Sequence, residues 1–243
     1  MDLQKLTGYI RRASEDFGMI GKGDRIAVGV SGGKDSLSLL MGLKKMSAFF
    51  PAEYGLEAIT VSLGLKGEDY SPAERVCEQW GIPYGIVRTD IGEIVFESRR
   101  EKNPCSLCSK MRKAALNKEA VRKGCNKVAY GHNRDDVIQT FFLSMFYEGR
   151  ISTFSPVTYL DREKLYVIRP LVYAPESEIL GFIRRNGIGV VESACPANGR
   201  TKREEIKDLI KDYRSVYKNF DAKVFGAIKR SRIDGWEREE TDG

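Results

Sequence analysis

Five short apolar runs, each followed by a stretch of helical periodicity, confine this chain to a narrow set of folds. The runs are 24–30 (DRIAVGV), 56–63 (LEAITVSL), 84–91 (YGIVRTDI), 126–131 (NKVAYG) and 164–171 (KLYVIRPL). Their length and turn-rich flanks read as buried strands. The intervening helices are predicted at 35–46, 71–81, 108–124, 134–149 and 175–187. In the first, Leu37, Leu40, Met41 and Leu43 share a face. Pro72 and Gly81 bracket the second, and Gly124 closes the third. Such alternation predicts an α/β fold, Rossmann-like, with a parallel five-stranded sheet and helices on both faces. Ligands of these sheets bind beyond the carboxyl ends of the strands. The segments 31–36, 62–67 and 131–136 are therefore expected to converge on one rim. Three regions result: an N-terminal helix (1–20), a nucleotide-type domain (21–190), and a C-terminal part (191–243) with a cysteine loop, a basic helix and an acidic tail.

The chain has 243 residues, enough for a substantial core, and a net charge of +6. It contains no apolar run long enough for a membrane helix. Its first residues, MDLQKLTGYIRRASEDF, lack the apolar segment of a signal peptide. Both features predict a cytoplasmic protein with no membrane partner. The positive charge is local. Residues 200–232 carry eleven Lys/Arg against five Asp/Glu, whereas 234–243 carry five acids and one Arg. A basic segment ahead of an acidic tail suits a nucleic-acid surface, although it also describes a solvated helix.

The loop AVGVSGGKDS (27–36) joins the first strand to the first helix. It is not a Walker A loop: three residues rather than four separate Gly29 from Gly33, and Asp35 follows Lys34 where Ser or Thr is needed. Nor is it a G-x-G-x-x-G fingerprint. It remains an anion cradle. Gly32 and Gly33 let the backbone approach a phosphate, the helix offers its positive end, Ser31 and Ser36 can donate, and Lys34 adds charge. Asp35 can cap the helix or approach a magnesium ion.

The five cysteines, an odd number, argue against a disulfide framework. Cys77 and Cys125 fall in core patterns. Cys105 and Cys108 form a C-x-x-C at a helix start, which fits zinc, an iron–sulfur cluster or a redox pair. Cys195 lies in a loop of small residues and is free to reach a shared site. The one histidine, His132, follows Gly131 at a strand end, with Asp135 and Asp136 just behind. Those carboxylates suit magnesium on ATP phosphates, or simply cap the next helix.

The S-G-G-x-D-S loop resembles that of the PP-loop ATP pyrophosphatases. CSLCSKMRKAAL, GHNRDDVIQTFFLSMFYEG, VIRPL and the late cysteine before a basic helix resemble their tRNA 2-thiocytidine synthetase branch, over about residues 20–220. The resemblance implies replacement of the C2 oxygen of a tRNA pyrimidine, cytidine 32 foremost, by sulfur. It implies ATP, Mg²⁺ and a 4Fe–4S cluster held by Cys105, Cys108 and Cys195, a sulfur donor (a cysteine desulfurase or inorganic sulfide), and a homodimer. ATP is then expected on Ser31–Ser36, Gly131, His132 and Asp136, with its adenine near Val61 and Ser62. Asp135 would assist the chemistry, and Arg112, four residues past Cys108, would steady the adenylated base. Arg99, Arg100, Lys102, Lys110, Lys113 and the basic helix would hold RNA phosphates. Two departures stand out: the segment around Cys195 has one cysteine where some relatives have a pair, and the chain lacks the flanking C-x-x-C pairs of the related thiouridine synthetases, which favours the thiocytidine side. Other readings are cluster-free thiolation through a persulfide, sulfur transfer to a small molecule, and a nucleotide-binding module with structural zinc.

Overall fold

The predicted alternation is present, with one strand more than the periodicity shows. The structure, a computed structural model, describes residues 2–98, 104–191 and 202–236. The elements run α1 (Leu3–Asp16), β1 (Asp24–Gly29), α2 (Lys34–Met46), β2 (Tyr54–Val61), α3 (Ser71–Gln79), β3 (Tyr84–Val87), α4 (Pro104–Arg122), β4 (Lys127–Ala129), α5 (Arg134–Leu143), β5 (Val157–Leu160), β6 (Leu165–Ile168), α6 (Glu176–Arg185), α7 (Lys202–Val216) and α8 (Phe220–Arg230). A π-helical turn, Ser144–Glu148, prolongs α5.

The sheet order is β3-β2-β1-β4-β6-β5. The five expected strands pair in parallel, and β5 adds an antiparallel edge. The expectation of five strands is therefore corrected to six. β5 has four residues and turns straight back through Lys164 at φ 52°, so its pattern merges with that of its partner. The expected helix over 200–232 is likewise two helices, broken where Asn219 takes a left-handed backbone (φ 60°). α1 stops at Asp16 rather than near residue 20, because Gly18 turns left-handed.

β1 buries both of its faces. Ile26 and Val28 meet a large core shared with α1, α2, α3 and α6, while Ala27 faces Leu116 and Ala120 of α4. Helices thus cover both sides of the sheet, as a parallel sheet requires. Trp236, fully buried, packs edge-on against Phe17 and Phe225 and donates its indole N–H to the Phe154 carbonyl at 3.1 Å. Cys77 and Cys125 are core residues; burial pushes the Cys77 thiol up to about 11 and raises that of Cys125. Among the described residues no helix is long and apolar enough to cross a membrane.

Candidate functional site

Strand order reverses between β1 and β4, which opens a crevice at their carboxyl ends. A cavity of about 320 Å³ occupies it. Ser31, Asp35, Ser36, Val61, Arg112, Gly131, His132 and Asp136 all line this cavity, together with Ile59, Ser109, Lys113, Leu116 and Tyr130. Two loops, the end of β2 and the middle of α4 therefore meet there, whereas the segment 62–67, expected on the same rim, contributes no residue to the lining.

The glycine loop is shaped by its backbone. Gly32 has φ +78°, a region that suits glycine, and its carbonyl accepts the Val191 N–H at 3.0 Å. Gly33 is the N-cap of α2 and supplies no side-chain acceptor, so the helix presents uncapped amides. Ser36 Oγ accepts the Ser31 N–H (3.1 Å) and donates to the Gly33 carbonyl (2.9 Å), closing the loop on itself. Gly131 lies so close to α2 that a Cβ would stand 3.1 Å from the Asp35 carbonyl carbon. A side chain at that position would force the loop after β4 and the start of α2 apart by a few tenths of an ångström.

Lys34 reaches two carboxylates, Asp35 at 2.7 Å and Glu176 at 2.9 Å. Burial opposes its charge, yet Asp35 and Glu176 outweigh burial and raise its pKa to about 12. Asn133 organises the acids opposite. Its side-chain oxygen caps α5 by accepting the N–H groups of Asp135 and Asp136, and its amide donates to Asp35 at 3.0 Å. Asp136 completes a capping box by accepting the Asn133 N–H. Burial raises the Asp136 pKa, with Asp35 and Glu176 adding to it, against the Asn133 amide and Arg203.

Asp135 goes elsewhere. It is buried, accepts the Glu176 N–H at 2.8 Å and pairs with Arg214, so it ties α5 to α6 and α7 rather than lining the cavity. Ser62 also turns away: its hydroxyl donates to Glu68 (2.8 Å) and shapes the loop after β2. Glu68 accepts from the Leu63 N–H as well.

The opposite wall is cationic. Arg112 and Lys113 come from α4, and burial followed by the nearby Arg169 charge lowers the Lys113 pKa. Arg169 is buried, and burial brings its pKa down to about 10. It donates to the Ser155 carbonyl and to Thr158 Oγ1. Burial, then the charges of Arg169, Lys113 and Arg203, push His132 down to about 3. His132 is thus a neutral imidazole packed on Phe154, its buried Nδ1 without a protein partner. Asn133, Arg169 and Tyr130 escaped the sequence reading; an arginine closing the apolar run VIRPL was the one visible sign.

Cys105 and Cys108 stand one turn apart at the start of α4. Cys105 is exposed; Cys108 is buried against Leu63, Ile91 and Val95, next to the cavity-lining Ser109. Two thiols on one helix face fit two corners of a cluster. Cys195, with Arg99, Arg100 and Lys102, lies outside the described residues.

Residues 6–212 match the PP-loop domain family. A tRNA-cytidine(32) 2-sulfurtransferase from Pelobacter propionicus is 39% identical over 212 residues, covering 86% of this chain and 79% of that protein. One from Syntrophotalea carbinolica is 35% identical over 229 residues, covering 93% and 87%. Among solved structures, the U34-tRNA thiolase NcsA from Methanococcus maripaludis, determined with its 4Fe–4S cluster, is similar with a TM-score of 0.76 and 25% identity, covering 94% of this chain and 78% of that one. The NH3-dependent NAD synthetase of Campylobacter jejuni (TM-score 0.52, 18% identity) shares the fold. With the family matched across most of its length and these relatives alongside, the chain belongs to the PP-loop family, within the branch of the tRNA 2-thiocytidine synthetases.

Proposed function

We propose that this protein is an ATP-dependent tRNA sulfurtransferase that exchanges the C2 oxygen of a tRNA pyrimidine, cytidine 32 foremost, for sulfur. One observation carries the reading: a single cavity joins the adenylating type of glycine loop to the helix that opens with C-x-x-C. The loop provides for ATP, and the thiols provide for sulfur.

ATP lies with its phosphates on the uncapped first turn of α2 and its adenine toward Val61. Asp35 and Asp136 line the cavity and would hold a Mg²⁺ ion on those phosphates. The base's C2 oxygen attacks the α-phosphorus, and pyrophosphate leaves. Arg112 and Lys113 offset the phosphate charge as it shifts, inside a walled cavity where such charges act strongly. Sulfur then adds at C2, the C2–O bond breaks, and AMP departs. Cys105, Cys108 and Cys195 would hold a 4Fe–4S cluster, which when bound supplies that sulfur. A neutral His132 neither adds charge to the phosphates nor takes it from them, and its ring walls the base from water. A cytoplasmic homodimer fed by a cysteine desulfurase or inorganic sulfide completes the reading.

The exposure of Cys105 favours a second route without a cluster: a Cys105 persulfide, loaded from a desulfurase persulfide, attacks C2 and expels AMP, and Cys195 then breaks the S–S bond, freeing the thiobase and leaving a Cys105–Cys195 disulfide. One experiment separates the two. Anaerobically purified protein, with and without iron, is incubated with ATP, tRNA and either sulfide or a cysteine desulfurase with cysteine, and the nucleosides are measured by mass spectrometry beside iron content and pyrophosphate release. The expected result is 2-thiocytidine, with one pyrophosphate per base, in proportion to iron. Full activity in iron-free protein would overturn the cluster, and absence of any thionucleoside would overturn the reaction.

A further inference from the structure

We propose that a row of aromatic rings at the corner of α5, α7 and α8 docks unstacked bases of the tRNA loop that carries the target nucleotide; this rests on the thiolase reading. α5 fully buries Ile138, but its apolar stripe continues one and two turns on at Phe142 and Phe146, and Phe146 is 56% exposed. α7 buries Ile206 and Ile210, and the same face continues at Tyr213 and Tyr217, 44% and 54% exposed. The two helices run in opposite senses, with Tyr147 beside Glu205 and Arg214 beside Asp135, and Phe220, the first residue of α8, bridges their two stripes between Phe142 and Tyr213.

The rings share nearly one orientation. From Phe146 through Phe142, Phe220 and Tyr213 to Tyr217, successive centroids lie 5.8, 6.0, 5.7 and 5.9 Å apart, and planes differ by 16°, 10°, 18° and 16°. The buried part of each stripe is aliphatic, whereas the part that emerges is aromatic. Aliphatic side chains would serve a protein partner equally well; a stack of rings whose two ends, Phe146 and Tyr217, are exposed serves flat partners. Every nucleobase has such a face, and stacking on protein aromatics is how unpaired bases are held.

Charge and distance favour the same partner. Residues 202–223 carry seven Lys/Arg against five Asp/Glu. Lys211, Lys218 and Lys223 are exposed, and Lys202 sits 4.3 Å over the Tyr147 ring. α7 touches the cavity through Arg203, which reaches Asp136 at 3.4 Å. The other end of α7 is near it too: Arg214, next to Tyr213, pairs with Asp135, the neighbour of cavity-lining Asp136. The rings therefore begin beside the cavity, within reach of one RNA loop.

The test uses the full chain, a labelled tRNA transcript and fluorescence anisotropy. Phe146→Ala and Tyr217→Ala should each weaken binding roughly five- to a hundredfold. Phe146→Tyr and Tyr217→Phe, which keep the ring, should bind like the parent. The salt dependence of binding should keep its slope, since phosphate contacts are untouched. Unchanged affinity in both alanine variants would overturn the proposal. So would a fall in molar mass by light scattering, which would assign the rings to a second copy of the chain. If the parent protein binds no tRNA, the thiolase reading falls and takes this surface with it; if the parent binds and the variants match it, the surface alone falls.

Discussion

His132 shows how a residue's neighbours decide its chemistry. Free histidine titrates near pH 6.5, but here burial and three nearby cations hold it to about 3. Between those values the unfolded chain binds a proton that the folded chain refuses. Stability is therefore complete above the unfolded value and drains away as pH falls toward 3, by at most about 1.4 kcal/mol per pH unit. A His132→Gln variant should show a shallower loss between about pH 7 and pH 4 than the parent, measured by urea midpoints. Identical slopes would mean that the imidazole is not held neutral. Much at this scale was hidden from the sequence. Asp135 and Asp136 are equivalent as letters, yet a rotation of 100° about the helix sends one to Arg214 and the other to the cavity. Only the packing of α6 and α7 sets that phase.

At the scale of elements, periodicity was a good guide wherever an element was long. All five parallel strands and their helices follow from apolar spacing, and the glycine loop was placed between the right two. The missed strand β5 and the break between α7 and α8 are short events fixed by single left-handed residues, Lys164 and Asn219, neither of which is glycine. The cap of α5 is another such event. Asn133 holds two helix amides through its oxygen and Asp35 through its nitrogen, so it joins α5 to the glycine loop. The two jobs can be separated. Asn133→Ala should lose about 1 kcal/mol of stability along with ATP affinity. Asn133→Asp keeps a capping oxygen but sets a carboxylate against Asp35; it should melt close to the parent yet bind ATP several-fold more weakly. Calorimetric titration with ATP beside thermal melts checks this. Equal ATP affinity in Asn133→Asp would remove Asn133 from the site's organisation.

For the molecule as a whole, the C-terminal helices are fastened to the nucleotide side by ion pairs made with α5. Asp135 joins Arg214 and the start of α6, and Asp136 joins Arg203. Because Arg214 is partly exposed and also pairs with Asp221, loss of the Asp135 charge is buffered. Asp135→Asn should cost roughly 1–3 kcal/mol in urea unfolding while leaving pyrophosphate release per folded molecule near the parent level. The reverse, full stability with lost turnover, would return Asp135 to the reaction. Trp236 joins residues that are far apart in the sequence. Trp236 is made by the ribosome more than two hundred residues after Phe17, the ring it covers. It also holds the carbonyl of Phe154, against which His132 rests. During synthesis, then, Phe17 lacks this cover until Trp236 has been made, and the Phe154 carbonyl behind the cavity wall lacks its indole partner until then. A nascent chain stalled before that tryptophan has every residue that faces the cavity but not the support behind them.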